Sequence, residues 1–92
     1  MTEDNKIFVG QKPLMNYVNA TQMQLKSNSE VMIVARGRNI SKAVDIAEII
    51  CKKFMEGQVS IDSIKSDSEE MESKEKGGKK MSVSCIEIVL KK

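Results

Sequence analysis

Hydrophobic positions along this chain change their spacing several times, and each change marks the boundary of a predicted element. Residues 7–9 and residues 31–35 are continuous apolar runs, typical of strands; the longer run suits a strand buried on both faces or paired in parallel. Residues 13–27 lie between them and show helical spacing on one face, at Leu14, Tyr17, Val18, Thr21 and Leu25. This part of the chain therefore predicts a strand, a helix and a second strand.

A second helix is predicted from Asn39, a good N-cap residue, to about Met55, and Gly57 ends it. This helix carries more apolar positions than one buried stripe needs. The positions predicted to form its core face are Ile40, Ala43, Val44, Ala47, Ile50, Cys51 and Phe54. Ile46 and Ile49 lie roughly a third of a turn or more away on the helical wheel. Two interpretations stay open for this pair, a broad core face and a surface for self-association.

After residue 58 the hydrophobic period changes to two, which indicates strands. Three side chains are predicted to face inward, with a slip of one position near Ser63: Val59, Ile61 and Ile64. A closing strand contains Met81, Val83, Cys85, Ile86, Ile88 and Leu90. The polar residues 65–80 between these strands include Gly77 and Gly78, and they are predicted to form a long, mobile β-hairpin arm.

The predicted element order is β-α-β-α-β-β. It implies an α/β (α+β) two-layer sandwich, in which two helices cover one face of a four-stranded mixed sheet and the last two strands extend into the arm. With 92 residues, the chain is expected to form one domain over residues 1–92. A domain of this size has a modest core, so self-association would add to its stability.

Two turns of similar build follow the first two predicted strands. Gly10, Gln11 and Lys12 precede the first helix, and Arg36, Gly37 and Arg38 precede the second. Exposed backbone N–H groups at a helix start favour anions, and the cationic side chains add positive charge beside them. Parallel neighbouring strands end at the same edge of a sheet. If the first two strands are such neighbours, the two turns form one basic cluster. Phosphate is the natural ligand for such a cluster.

The position of Lys12 adds to this interpretation. Pro13 suits the first helical position, where its missing N–H costs nothing, so Lys12 is expected at the N-cap. A cation there is unfavourable for the helix, because the N-terminal end of the helix dipole is already positive. The arrangement makes sense when an external anion completes the site. The alternative is that Arg36 and Arg38 are solvated turn charges or pair with Asp45 and Glu48.

Charge is segregated along the chain although the net charge is only +2. Residues 6–55 hold eight Lys or Arg against three Asp or Glu, whereas residues 56–75 hold two Lys against seven Asp or Glu. There is no signal-peptide pattern and no membrane-spanning apolar run, so no membrane partner and a cytoplasmic location are expected.

Catalysis, cofactors and metals are not expected. The chain has no histidine, and Cys51 and Cys85 fall within apolar patterns, which indicates reduced core thiols. No paired carboxylates accompany the basic turns, and the turn at Gly37 lacks the spacing of a P-loop. The sequence therefore indicates a binding protein without a small-molecule substrate rather than an enzyme.

Four blocks of the sequence resemble the Alba family of archaeal chromatin proteins. Residues 10–18, GQKPLMNYV, are similar to that family's GKKPVMNYV, and residues 35–45, ARGRNISKAVD, resemble its ARGRAISKAVD. Residues 53–54 resemble the family's R-F pair, and residues 83–92 resemble its closing strand, VSTIEIAIRKK. The resemblance covers nearly the whole chain in the same order.

The resemblance implies a fold shared with the C-terminal domain of a bacterial translation initiation factor. It also implies a homodimer that is associated with the chromosome and binds double-stranded DNA, and often RNA, with little sequence preference. In the family the basic turns lie on the duplex and the hairpin arms reach along the minor groove. An RNA-binding protein acting on structured RNA is the alternative, because the same fold and basic cluster serve either duplex.

Site residues follow from the resemblance position by position. The phosphate-contact residues it implies are Lys12, Arg36, Arg38 and Lys42. Asn16 and Tyr17 would support the first turn, and the arm would contribute Lys74, Lys76, Lys79 and Lys80. Phe54 corresponds to an aromatic used between neighbouring dimers, and Ile46 and Ile49 are the further candidates for contacts between subunits.

Two departures from the family pattern affect binding. Gln11 replaces the first lysine of the family's pair, which weakens the backbone contact and rules out regulation by acetylation at this position. The arm carries negative charge, although a hairpin that contacts DNA is favoured by positive charge. The acidic residues of the arm are Asp67, Glu69, Glu70, Glu72 and Glu75. Since phosphate contacts supply most non-specific affinity, we expect retention on DNA that is weaker and more salt-sensitive than that of a basic-armed relative.

Overall fold

A computed structural model describes residues 2–3, 5–73 and 79–92 of the chain. The two helices are α1, Leu14–Ser27, and α2, Ile40–Ile49. The five strands are β1, Thr2–Glu3, β2, Lys6–Phe8, β3, Glu30–Arg36, β4, Ser60–Ser73, and β5, Lys79–Lys91. Within the described ranges, no helix has the length and apolar character needed to cross a membrane.

The strands form one mixed sheet with the order β1-β2-β3-β5-β4. β2 and β3 are parallel, with Ile7 opposite Ile33, and the other neighbours are antiparallel. The predicted β-α-β-α-β-β sandwich is confirmed. The additional strand β1 is only two residues long and pairs with β2 at the sheet edge, which is too short for a periodic signal in the sequence.

The core lies between one face of the sheet and the two helices. Ile33 and Ile88 face each other across β3 and β5, and both are fully buried on the helix-covered face. The predicted buried face of α1 is confirmed, since Tyr17, Val18, Thr21 and Leu25 are all buried. Leu14 packs against the same core from a partly buried position.

The buried face of α2 differs from the predicted one. Ala43, Ile46 and Ala47 are buried, whereas Val44 is 37% exposed and Phe54 is 48% exposed. The prediction that Val44 and Phe54 face the core is therefore wrong. Of the two interpretations left open for Ile46, the broad core face is confirmed, because this side chain is fully buried. The buried stripe of Ala43, Ile46, Ala47 and Ile50 is rotated by roughly 50° from the predicted one, which brings Ile46 into the core and moves Val44 out of it. Ile49 packs at the margin of the core and is partly buried.

The ends of α2 explain two further differences. A short 3₁₀ turn, Gly37–Asn39, precedes the helix, so Asn39 is already in the helical region, with φ −86° and ψ −4°, and its side chain makes no capping hydrogen bond. Asn39 occupies the predicted N-cap position, but it does not cap the helix through its side chain, because its backbone is helical rather than extended. At the other end, the wide turn Ile50–Phe54 closes with the N–H of Met55 donating to the carbonyl of Ile50 at 2.8 Å. This turn is π-helical and holds more residues than an α-helical turn, so it changes the direction in which the Phe54 side chain points.

The stop at Gly57 is confirmed. This residue has φ +77°, in the left-handed region that favours glycine after a helix. The N–H groups of Gln58 and Val59 both donate to the carbonyl of Met55, at 3.0 and 3.2 Å. The chain leaves the helix here and enters β4.

The hairpin of β4 and β5 is confirmed and pairs continuously from Ser60 opposite Lys91 to Ser73 opposite Lys79. The slip near Ser63 is confirmed as a bulge between Ile61 and Ser63. Ile64 lies opposite Ile88 on the helix-covered face, yet it is 55% exposed. Ile64 therefore faces inward as predicted but is not covered, because β4 is the edge strand and only its start, at Ile61, packs against the core.

The outer half of the hairpin projects from the sheet as a two-stranded ribbon. β3 pairs with β5 only as far as Cys85, so the part of β5 before Cys85 pairs with β4 alone. The molecule is accordingly elongated, with extents of 49 × 23 × 22 Å. Residues 74–78 of the predicted mobile arm lie outside the described residues.

Candidate nucleic-acid interface

The parallel pairing of β2 and β3 brings the two basic turns to one edge of the sheet. Gly10 and Lys12 leave the end of β2, and Gly37 and Arg38 leave the end of β3. Lys42, in the first helical turn of α2, reaches the basic turn that follows β2: its Nζ donates to the carbonyl oxygens of Gly10, at 2.9 Å, and Lys12, at 3.1 Å. The predicted juxtaposition of the two turns is therefore present in the structure.

Tyr17 holds the same turn from the other side. Its hydroxyl oxygen accepts hydrogen bonds from the backbone N–H groups of Gly10, at 2.9 Å, and Lys12, at 3.1 Å. Both acceptor positions of the hydroxyl are thus used. Because Tyr17 is only 2% exposed, its role is to support the turn, as predicted, rather than to contact a ligand with its ring.

Tyr17 and Lys42 together form what we call the turn clamp. Tyr17 accepts from two N–H groups of the first turn, Lys42 donates to two of its carbonyls, and the Lys42 ammonium lies 5.8 Å from the centre of the Tyr17 ring. The sequence indicated Lys42 as a phosphate contact but gave no sign of this intrachain role. Parallel pairing of β2 and β3 does not by itself specify this contact, which depends on how the assembled fold places α2 beside the first turn.

The start of α1 differs from the prediction by one residue. Pro13, with φ −56° and ψ 147°, occupies the N-cap, and its carbonyl accepts the N–H of Asn16 at 3.0 Å. Lys12 lies one residue before the cap, so the predicted placement of Lys12 at the N-cap is wrong. The reason is the extended ψ of Pro13, which excludes it from the helix. Lys12, Gln11 and Asn16 are all exposed around this turn.

Neither helix start carries a compensating carboxylate. The first turns of α1 and α2 contain no acidic residue, and no side chain caps either helix. The positive ends of both helix dipoles therefore face solvent near the basic turns. This environment favours an anion.

A cleft of about 490 Å³ lies between the two turns and is lined by Gln11, Arg38, Asn39 and Lys42. A second cleft, of about 340 Å³, lies beside it and includes Phe8, Val34, Arg36 and Asn39 in its lining. Gly37, between the two arginines, has φ +54°, which permits the sharp turn that points them apart. Arg38 is exposed, and within the described part of the chain its side chain makes no ion pair or hydrogen bond.

Arg36 forms an ion pair that the sequence did not indicate. Its Nη2 lies 3.3 and 3.4 Å from the two carboxylate oxygens of Glu69 on β4. Glu48, one of the partners considered from the sequence, instead pairs with Lys52 at 2.7 Å. The alternative pairing of the arginines with Asp45 and Glu48 is therefore wrong.

The remaining candidates are placed less closely around the turns. Lys79 and Lys80 belong to β5, opposite Ser73 and Glu72 in the ribbon. Lys74 and Lys76 lie outside the described residues. The subunit-contact candidates lie in the C-terminal half of α2 and in the turn that follows it: Ile46 has no exposed surface, Ile49 is partly buried and Phe54 is about half exposed.

Both cysteines are free and partly buried, which matches the expectation of reduced thiols. The pKa of Cys51 is raised above its ordinary value, mainly because burial disfavours the thiolate. The carboxylate of Glu48 raises this pKa further, and the ammonium of Lys52 acts in the opposite direction. A smaller fraction of Cys51 is therefore ionised at a given pH than of an ordinary cysteine.

Known proteins are similar to this chain in sequence and in fold. A sequence profile of the Alba family matches residues 5–68. The "DNA/RNA-binding protein Alba" of Nanoarchaeum equitans is 52% identical over 95% of this chain and 97% of its own length. The protein of the same name from Picrophilus torridus is 53% identical over 98% of each chain.

The structure of Alba from Thermoplasma volcanium matches with a TM-score of 0.85 and 44% identity, covering 96% of this chain and all of that one. ALBA1 from Trypanosoma brucei matches with a TM-score of 0.77 and 26% identity over the whole of this chain and 72% of that one. Sequence and fold therefore agree that this chain belongs to the Alba family.

Proposed function

We propose that this nucleic-acid-binding protein acts as a homodimer on double-stranded DNA, associated with the chromosome, and holds the duplex through its phosphate backbone. The observation that carries the proposal is the cleft between the two basic turns, where Gln11, Arg38 and Lys42 meet beside two uncompensated helix starts. The names of the relatives support the ligand class, since those proteins are called DNA/RNA-binding.

Each basic side chain has a distinct role in this proposal. Lys12, Arg36 and Arg38 donate to phosphate oxygens, and Gln11 offers an uncharged hydrogen bond beside them. Lys42 and Tyr17 act mainly through the turn clamp, which fixes the backbone of the first turn. Because the basic residues lie in turns rather than along a helix, they position the protein on the duplex and do not read bases.

The arm modifies the strength of binding. On the described part of the ribbon, the exposed carboxylates of Asp67, Glu69 and Glu70 add negative charge to the arm, which repels the phosphates of a nucleic acid that lies along it. Like-charge repulsion lowers affinity at every salt concentration, so the complex dissociates at a lower salt concentration than that of a basic-armed relative. Each phosphate that the arm leaves without a cationic partner also reduces the slope of log K against log salt by about 0.9.

Self-association is the part of the proposal that rests on surface hydrophobicity. Phe54 is 48% exposed at the end of the second helix, next to partly buried Ile49. We assign these two side chains to contacts between subunits or between neighbouring dimers, and Ile46 is removed from that set because it is fully buried. Sedimentation equilibrium measures the mass of the native chain and of Phe54→Ser in solution and so separates the two kinds of contact. If the variant remains a dimer, Phe54 is not needed within the dimer, and the contact between neighbouring dimers is the one left for it.

Structured RNA is the second candidate ligand, favoured by the DNA/RNA-binding name of the relatives. Fluorescence anisotropy with a DNA duplex and an RNA duplex of matched sequence decides between them. We expect saturable binding to duplex DNA at low salt that weakens log-linearly as salt rises. Binding to RNA alone would move the function to the alternative, and binding to neither would overturn both.

A further inference from the structure

Arg36 and Glu69 connect the basic turns to the acidic arm. Arg36 ends β3 and Glu69 lies on the outer half of β4, and β5 runs between them, with Cys85 opposite Arg36 and Val83 opposite Glu69. The guanidinium therefore reaches diagonally across one strand to a carboxylate 33 residues away. Both side chains are about half exposed, at 58% and 44%.

We propose that Glu69 is an internal competitor for the phosphate group that Arg36 binds. The inference rests on the proposed function and adds a regulating contact to the same site. A carboxylate and a phosphate take the same N–H groups of a guanidinium, with the same charge complementarity. Glu69 holds one guanidinium nitrogen, Nη2, and partly neutralises the charge of Arg36. A phosphate that takes this nitrogen must displace Glu69, and the carboxylate then lies beside a group of like charge.

The exposure of the pair determines how strong this competition is. Solvent-exposed ion pairs are weak and exchange readily with water and salt. Glu69 therefore lowers the affinity without closing the site. Linkage requires the effect to be mutual: an anion that binds Arg36 releases the Glu69 carboxylate, and neutralisation of Glu69 strengthens anion binding at Arg36.

The experiment compares duplex DNA binding by the native chain, Glu69→Gln and Asp67→Asn in a salt titration. Asp67 is the matched control because it lies on the same strand and face and carries the same charge, while its Oδ1 accepts from the N–H of Ser68 rather than from an arginine. We expect Glu69→Gln to bind about two- to fivefold more tightly than the native chain, which corresponds to the strength of an exposed pair. Asp67→Asn should produce a smaller gain, from net charge alone.

The same comparison in an Arg36→Ala background isolates the pair. There, Glu69→Gln and Asp67→Asn should have equal effects, because Glu69 no longer has an arginine to occupy. Equal effects of the two substitutions in the native background would overturn the proposed competition while leaving duplex binding intact. Failure of the native chain to bind at low salt would overturn the proposed function and this inference with it.

Discussion

The hydroxyl oxygen of Tyr17 lies 2.9 Å from the backbone nitrogen of Gly10, and this hydrogen bond ties the first basic turn to the core. The Tyr17 ring is buried between the sheet and the helices, so the position of its hydroxyl is fixed by packing. A Cβ atom on residue 10 would lie only 3.3 Å from that hydroxyl oxygen. Glycine therefore fits at this position without a shift of the Tyr17 side chain. The shape of a surface turn is thus set from inside the molecule.

Replacing Tyr17 by Phe tests the first half of the turn clamp. The substitution leaves the N–H groups of Gly10 and Lys12 without their acceptor, and we expect a loss of about 1–3 kcal/mol in the free energy of unfolding, measured with urea. Hydrogen exchange at these two amides should accelerate. The Val9 amide, which donates to the carbonyl of Val34 at 2.9 Å, should remain protected and serves as the internal control. Unchanged exchange at Gly10 and Lys12 would contradict the clamp.

Replacing Lys42 by Met tests the second half. The ammonium already donates to two carbonyls, so its loss should weaken duplex binding mainly by loosening the turn. We expect the slope of log K against log salt to change less in Lys42→Met than in Arg38→Met. The latter substitution removes an exposed charge and should reduce the slope by about 0.9 for each phosphate that the arginine no longer binds. Equal reductions in the two variants would show that Lys42 itself contacts phosphate.

Replacing Gly37 by Ala tests the conformation of the second turn. With φ at +54°, an L-residue is strained by about 1–2 kcal/mol, and the free energy of unfolding should fall by that amount. A steric clash is not the cause, because the nearest atom to the added Cβ is Cγ1 of Val83 at 3.8 Å. Gly37→Asn is the matched variant: asparagine tolerates the left-handed region, so its loss should be smaller. Equal losses would contradict the backbone explanation.

Alkylation of Cys51 tests the local electrostatics of the second helix. Because its pKa is raised, a smaller fraction of Cys51 is thiolate at pH 8 than for an ordinary cysteine, and its reaction with iodoacetamide should be slower in a Cys85→Ser background. Glu48→Gln removes a carboxylate that raises this pKa and leaves Lys52, which lowers it. The rate–pH profile should therefore move to lower pH in Glu48→Gln, and a shift to higher pH would contradict this account.

Periodicity and turn chemistry predicted the fold, but not the exposure of every apolar residue. The alternation in residues 59–64 located the bulge beside Ser63, because a one-residue slip moves every later side chain to the other face. It could not show that Ile64 lies on an uncovered edge strand, since coverage depends on where the helices end. The burial of Val44 was predicted wrongly, and that of Ile46 was left open, for a similar reason. A helix rich in apolar residues has no sharp polar boundary that shows which of its faces is buried.

The candidate site was predictable in its charges but not in its internal contacts. The basic turns were found from residue types that follow two strands, and parallel pairing then brought them together. The pair of Arg36 with Glu69 depends on the register of a hairpin 33 residues further along, which no local pattern specifies. The clamp on Gly10 and Lys12 depends on two side chains from different helices, Tyr17 and Lys42. Such contacts arise only from the assembled fold.

The most direct test of the central claim is a salt titration of duplex DNA binding by the native chain and by Arg36→Ala/Arg38→Ala. The control, Lys26→Ala/Lys92→Ala, removes the same charge: Lys26 lies in the last turn of α1, and Lys92 follows β5 beside Ser29, away from the basic turns. We expect the turn variant to bind more weakly, with a slope of log K against log salt reduced by about 0.9 for each phosphate no longer bound, and the control to stay close to native. Equal slopes in the two variants would contradict a phosphate site at the basic turns.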